Sequence, residues 1–230
     1  MINLHEIYGC NMTTIADSLN TDLKPFDITE KIVNVQDFFA EVGYSHFPVL
    51  DDNIYLGCIS SHDVDGFDIK KSIDNYRYTL DGFFAKTNME WIDVMQIFAK
   101  TRANIMPVLG LDNQYLGYYE LEGVTKIFAE TPFMAEPGNI IVVEKEILSY
   151  SMSQIVQIVE SNKTELLGCF VSKSTANTIQ ITMKVRLGGI NEILQALRRY
   201  DYEIISIHEE DIFIHDLRER SEYLEKYLSI

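Results

Sequence analysis

Apolar residues recur with helical spacing at Val35, Phe38, Phe39 and Val42, positions i, i+3, i+4 and i+7, which predicts one apolar stripe along a helix. The polar run Asp51-Asp52-Asn53 then separates residues 47–50 from 54–60, predicting two short strands joined by a turn. A short helical segment is expected near residues 62–67. The same succession returns downstream, with strands at 105–109 and 115–119 around a turn at Asp112-Asn113, and a helix near 122–130.

That recurrence is an internal repeat. Val35-Gln36-Asp37-Phe38-Phe39-Ala40 aligns with Val94-Met95-Gln96-Ile97-Phe98-Ala99 at an offset of 59 residues, and the same offset carries Pro48-Val49-Leu50 onto Pro107-Val108-Leu109. One extra residue in the second copy brings Tyr55-Leu56-Gly57 onto Tyr115-Leu116-Gly117. Each copy reads helix, strand, strand, helix. A unit of about 55 residues buries too little surface to stand comfortably alone, so the copies are expected to pack together.

The repeat resembles the CBS domain: an amphipathic helix, a strand reading Phe47-Pro48-Val49-Leu50, a polar turn, then Gly57-Cys58-Ile59-Ser60-Ser61-His62-Asp63 opening a helix. The resemblance covers roughly residues 10–133 and implies a tandem pair, or Bateman module, with repeats at 10–69 and 79–134 and a connector at 70–78. It implies that Ser60 and Asp63 hold the phosphate and ribose of an adenosine-type ligand. A carboxylate accepts hydrogen bonds from vicinal ribose hydroxyls, and a hydroxyl beside free backbone N–H groups at a helix start suits an anion. The backbone around His46 and Phe47, with Leu23-Lys24-Pro25, is expected to cradle the base. The bland alternative makes Ser60 a helix N-cap, worth about 1 kcal/mol. In the second copy Glu120 replaces the hydroxyl and Gly123 the carboxylate, so at most one site is expected to be intact.

The pattern changes after Pro137-Gly138. A strand at 139–144 precedes the helical stripe Met152, Ile155, Val156 and Val159; a strand at 166–172 turns at Thr175-Ala176-Asn177 into residues 180–187, which alternate polar and apolar as a sheet with one packed face requires. Gly188-Gly189 stops that strand. Ile190, Ile193, Leu194 and Leu197 line a second helix, and residues 202–208 supply a last strand. The order β-α-β-β-α-β is ferredoxin-like. It resembles an ACT domain, here 138–209, and a CBS pair followed by such a domain is similar to acetoin-utilisation-type CBS proteins. Tyr150 stands where amino-acid-binding ACT domains carry glycine, so sheet pairing between subunits is the expected role of this part. Over 210–230, Asp216-Leu217-Arg218-Glu219 predicts a helix start, with Leu217, Leu224, Tyr227 and Leu228 on one face. The expected fold class is α+β: two CBS repeats packed as a pseudo-twofold pair, an ACT-like domain and a C-terminal helix.

Charge narrows the chemistry. The formal net charge is −16, and residues 1–137 hold 9 basic against 21 acidic side chains. Such a field repels nucleic acid and anionic lipid, so neither is an expected partner. Of the cations Lys24, Lys70, Lys71, Arg77 and Arg102, three lie in the connector and none forms a cluster fit for a triphosphate. AMP is therefore preferred to ATP; ADP and S-adenosylmethionine remain candidates, and no cofactor is required. Cys10, Cys58 and Cys169 are odd in number and widely spaced, suggesting neither disulfides nor zinc, and the start of the chain does not read as a signal peptide, so a cytoplasmic setting is expected. Ser61-His62-Asp63 has the letters of a triad, but consecutive residues cannot align one. His208-Glu209-Glu210-Asp211 reads as a solvated turn rather than a metal site, and Trp91 as a packing residue. The expectation is a non-catalytic, homodimeric, adenosine-sensing regulator. The alternatives are a constitutive scaffold for another enzyme or transporter and an amino-acid sensor acting through the rear domain.

Overall fold

The computed structural model describes residues 15–206. Cys10, the acidic turn at 208–211 and the predicted tail helix lie outside the described residues. The chain divides into two compact units, Met1–Ala129 and Glu130–Ile230.

In the first unit a 3-10 turn at Ile15–Ser18 leads to β1 (Phe26–Asp27), α1 (Ile32–Glu41), β2 (His46–Asp51), β3 (Ile54–Ser60) and α2 (Ser61–Val64). After a 3-10 stretch at Ile73–Thr79 the series repeats as β4 (Ala85–Lys86), α3 (Trp91–Thr101), β5 (Ile105–Leu109), β6 (Tyr115–Glu120) and α4 (Leu121–Ala129). Each copy forms a three-stranded sheet, β1-β2-β3 and β4-β5-β6, whose first pair is parallel and second antiparallel. The register slips at the same aligned place in both, between Val49 and Leu50 and between Val108 and Leu109. The one-residue insertion lies in the turn of the second copy. The first copy closes a two-residue hairpin on Asp52 and Asn53, at φ 46° and 67°, the mirror-image turn that matches strand twist. The helix predicted at 62–67 is only α2, because Gly66 and Phe67 turn back onto the carbonyls of Asp63 and Val64.

Three apolar clusters explain why the copies are paired. Ile32, Val35, Val49 and Ile59 form the core of the first repeat, and Val94, Phe98, Met106 and Val108 that of the second. A third cluster belongs to both: Phe47, Ile105 and Tyr118 are fully buried among Leu23, Phe26, Phe38, Phe39 and Tyr44. Beside it Ser45 and Asn104, aligned residues, bind each other. Asn104 Oδ1 accepts the Ser45 N–H at 2.8 Å, and Ser45 Oγ accepts the Asn104 N–H at 3.1 Å. The approach to each repeat also runs along the other's last strand. Asn20 exchanges backbone hydrogen bonds with Tyr118 at 2.8 and 2.9 Å, and Asp81 with Cys58 at 2.8 Å both ways. Gly57 and Gly117 make these crossings feasible: at φ 151° and 152°, a Cβ would lie 3.0 Å from the Asp81 carbonyl oxygen and 2.5 Å from that of Asn20.

The second unit begins with α5 (Pro132–Ala135), a short helix the pattern did not predict, then β7 (Gly138–Glu146), α6 (Met152–Ser161), β8 (Leu166–Ser174), β9 (Thr178–Arg186), α7 (Ile190–Arg199) and β10 (Glu203–Ile204). The sheet order is β10-β7-β9-β8 with every pair antiparallel, the β-α-β-β-α-β arrangement read from the sequence. Ile141 and Val143, Ile181, Met183 and Val185 meet Ile155 and Val159 of α6 and Ile193, Leu194 and Leu197 of α7. The last strand starts after Tyr202, not at it, since the Tyr202 N–H closes onto the Leu197 carbonyl and its ring is buried. On the other sheet face α5 is held by Phe133 against Phe170, rings 5.6 Å apart, and by Lys184 Nζ donating to the Met134 carbonyl at 3.3 Å.

Candidate functional site

The antiparallel register of β2 and β3 sets His46 directly opposite Ser60, and α2 starts at the next residue, which places Asp63 one helical turn on. The crossing segment adds a residue that sequence reasoning missed. Because both main-chain groups of Asp81 are bonded to Cys58, its side chain stands beside the same strand ends, with Oδ2 3.4 Å from His46 Nε2. Phe83 meets the imidazole edge-on at 5.4 Å. The one signal for Asp81 in the sequence is its place just ahead of the second repeat, where the 59-residue offset aligns it with Asp22; the backbone crossing gives it on β3 the place that Asn20 takes on β6. His46, Ser60, Asp63 and Asp81 thus converge at one end of the first hairpin.

The electrostatics of this site are acidic. Burial holds the His46 imidazole below its ordinary value of 6.5, outweighing the opposing pull of the Asp81 carboxylate and of Asp63. The ring is therefore neutral at pH 7, between two carboxylates. Its Nδ1 lies 2.9 Å from Ser45 Oγ, which also bonds Asn104. That engagement leaves the Ser45 oxygen as part of a clamp rather than a free nucleophile. Cations are placed elsewhere. Arg77 is bound to Asp51 at 2.6 Å, Lys71 lies 5.7 Å over the Tyr76 ring, and Lys86 donates to Asn113 at 3.1 Å. Ser60 caps α2 by position, with no side-chain hydrogen bond to its backbone, and the Ser61 N–H is taken by the Ser45 carbonyl at 2.9 Å. A one-turn helix with a donor already used adds little field for an anion.

The remaining expected contacts sort differently. The Phe47 ring is wholly buried in the shared aromatic cluster and is therefore a packing group rather than a contact for a ligand. Lys24 is exposed and makes no ion pair among the described residues; its neighbour Leu23 packs with Ile105 and Tyr118. The segment 23–25 consequently lies with the shared core and the crossing onto β6, while Phe83, aligned with Lys24 by β1 and β4, takes the corresponding place beside His46.

At the aligned end of the second hairpin, Ile105 stands opposite Glu120. Glu120 Oε1 accepts from Tyr44 Oη at 2.6 Å and from Asn20 Nδ2 at 3.2 Å. Burial and then the bond to Glu120 push the Tyr44 hydroxyl far above its ordinary value of 10, so it stays protonated and donates to the carboxylate. In the second unit the turn before α6 is stitched by Tyr202, whose hydroxyl donates to the Ser151 carbonyl at 3.1 Å and accepts the Ser151 N–H at 3.2 Å, with Tyr150 packed on the core. Both main-chain groups of Ser151 at that turn are thereby occupied. A recess of about 450 Å³ at the other end is lined by residues 162–165 and 186–189, but its Arg186 is bound to Glu165 at 2.7 Å and Glu136 at 3.2 Å.

Among the described residues no group of three or more His, Cys, Asp and Glu side chains is placed to hold a metal ion, and no helix is long and apolar enough to cross a membrane. No family model and no curated protein matches the chain. Among solved structures it is similar to a CBS domain pair/ACT domain protein from Thermotoga maritima, at 14% identity over 51% of this chain and 98% of that one, with a TM-score of 0.47. It is similar also to CBSX2 in complex with AMP, at 17% identity, 51% and 96% coverage and a TM-score of 0.45. The CBS domain of the bacterial CNNM/CorC family Mg2+ transporter in complex with ATP shows 15% identity, 51% and 87% coverage and a TM-score of 0.43.

Proposed function

We propose that this chain is a non-catalytic regulatory protein of the cytoplasm whose paired repeats are CBS domains that sense an adenosine-type ligand at the first motif. The observation that carries the reading is the convergence of His46, Ser60, Asp63 and Asp81 at one strand end of the first repeat, while the second repeat has Ile105, Glu120 and Gly123 in the aligned places. Asp63 would accept from the ribose hydroxyls and Ser60 would donate to the ligand's phosphate. With two carboxylates, a neutral imidazole and, among the described residues, no Lys or Arg paired with them, the site suits one phosphate better than three, so AMP is preferred to ADP and ATP. Binding acts by favouring one arrangement of the module over another, to the extent of its differential affinity.

The second unit, in this reading an ACT-like domain, pairs subunits into a homodimer that acts on a separate enzyme or transporter. Strand β8 supports this: among the described residues it is an edge strand, nine residues long, with Phe170 and Val171 47% and 42% exposed, an open template for a second chain. The test is a thermal-shift panel with AMP, ADP, ATP and S-adenosylmethionine, each with and without magnesium. AMP at 100 times its Kd is expected to stabilise by about 2.7 kcal/mol, through mass action. Asp63→Ala should remove that shift. A shift that survives Asp63→Ala, or none with any adenosine compound, refutes the reading and leaves the scaffold role.

A further inference from the structure

We infer that the second repeat's ligand position is filled from within by Glu120, so that the chain takes one adenosine ligand and not two, an inference that rests on the first motif being a nucleotide site. Glu120 occupies in β6 the position Ser60 holds in β3, each the register partner of the first residue of the preceding strand, Ile105 and His46. Where the first repeat presents a hydroxyl at that point, the second presents a carboxylate. That carboxylate already has two donors, the Tyr44 hydroxyl at 2.6 Å and the Asn20 amide at 3.2 Å. It therefore stands where a ligand's anionic group would sit and takes the hydrogen bonds such a group would take.

The latch is built in advance. The Tyr44 ring lies parallel to Phe47 at 5.9 Å and meets Tyr118 edge-on at 6.0 Å, both rings being wholly buried. Its hydroxyl is thus delivered to Glu120 by the core shared between the repeats. Asn20 is fixed independently by its backbone exchange with Tyr118. The first repeat has no such arrangement: Ala103 is aligned with Tyr44, and Asp81, which crosses onto β3 as Asn20 crosses onto β6, is an acceptor that pairs with His46. Removing the carboxylate therefore opens the second position, and Gly123→Asp would add the ribose acceptor that strengthens binding there. The backbone at 123 admits a side chain, since a Cβ there would meet Ser18 at 3.5 Å, an ordinary contact.

The experiment is isothermal titration with AMP of the full chain, the double variant Glu120→Ser with Gly123→Asp, the single variant Glu120→Ser, and Asp63→Ala, each checked for folding by Trp91 fluorescence. The expected stoichiometries are one AMP per chain for the wild type, two for the double variant and none for Asp63→Ala. Two AMP per wild-type chain, or one in a folded double variant, overturns the inference while leaving the first site standing. No binding to the wild type with one AMP on the double variant overturns the first-site reading and upholds the inference. No binding to either overturns both. Should the double variant not fold, Glu120→Ser decides: a second, weaker AMP is expected, and its absence overturns the inference.

Discussion

Asn104 is the residue on which the pairing of the repeats can be tested most directly. Its Oδ1 accepts the Ser45 N–H at 2.8 Å and the Ser45 hydroxyl at 3.0 Å, and its Nδ2 donates to the Gly43 carbonyl at 2.7 Å. A net hydrogen bond contributes about 1 kcal/mol, so deleting all three suggests a loss of about 3 kcal/mol. The Ser45 hydroxyl has a second acceptor in His46 Nδ1 at 2.9 Å, which recovers one of them. We therefore predict that Asn104→Ala destabilises the first unit by about 2 kcal/mol. Asn104→Asp keeps the acceptor and loses only the bond to Gly43, for about 1 kcal/mol. The assay is urea unfolding followed by fluorescence. Trp91 is the chain's one tryptophan and stacks on Phe128 at 5.7 Å within the first unit, so its signal reports that unit by itself. With a urea slope of about 2 kcal/mol per M, the Ala variant should shift the midpoint by about 1 M and leave the slope unchanged. A shift below about 0.3 M, or equal shifts for Ala and Asp, would show that these bonds do not hold the repeats together.

Three further outcomes follow from other parts of the molecule. Gly117→Ala forces a Cβ to within 2.5 Å of the Asn20 carbonyl oxygen at φ 152°, and is predicted to cost about 3 kcal/mol from strain and lost crossing bonds; Gly123→Ala, on a helix with an ordinary contact, should be neutral or stabilising by up to about 1 kcal/mol in the same fluorescence assay. His46 has a folded-state value depressed below 6.5, so the unfolded chain binds the proton more readily and stability should fall as pH drops below 6.5. Unfolding at pH 7.5 and 5.5 should show a larger loss for the wild type than for His46→Gln, and equal losses would refute that role. Val171→Lys places a charge on the open edge of β8 and is predicted to convert a dimer to monomer by light scattering, with unchanged thermal stability of the first unit; a wild type that is already monomeric refutes the pairing.

Much of the site was readable because repetition multiplies weak signals. The stripe Val35, Phe38 and Phe39, the run Pro48-Val49-Leu50 and the run Tyr55-Leu56-Gly57 each carry little alone, yet their ordered recurrence with a single one-residue insertion predicted paired hairpins whose strand ends present Ser60 and Glu120. The contributions of Asp81 and Tyr44 were not readable. Asp81 reaches His46 only because the connector crosses onto β3, and Tyr44 reaches Glu120, 76 residues away, only through the core shared by the repeats. Lys24 went the other way: read as part of the first site, it lies on the segment that crosses onto β6.

The sequence by itself determined the hairpins, the longer helices and their order, since periodicity, turn residues and glycine positions act within a few residues of the chain, but not the two-residue strands β1 and β4 or the one-turn α5. Even Gly57 and Gly117 were legible as repeated letters, although nothing local said why they must be glycine. Only the tertiary structure decided which backbone passes over them, which aromatic rings fuse the two repeats, and which donors meet the Glu120 carboxylate. Those are choices between surfaces distant in sequence, settled by burial of Phe47, Ile105 and Tyr118 in one place and by hydrogen bonds that form once that burial has brought the partners together.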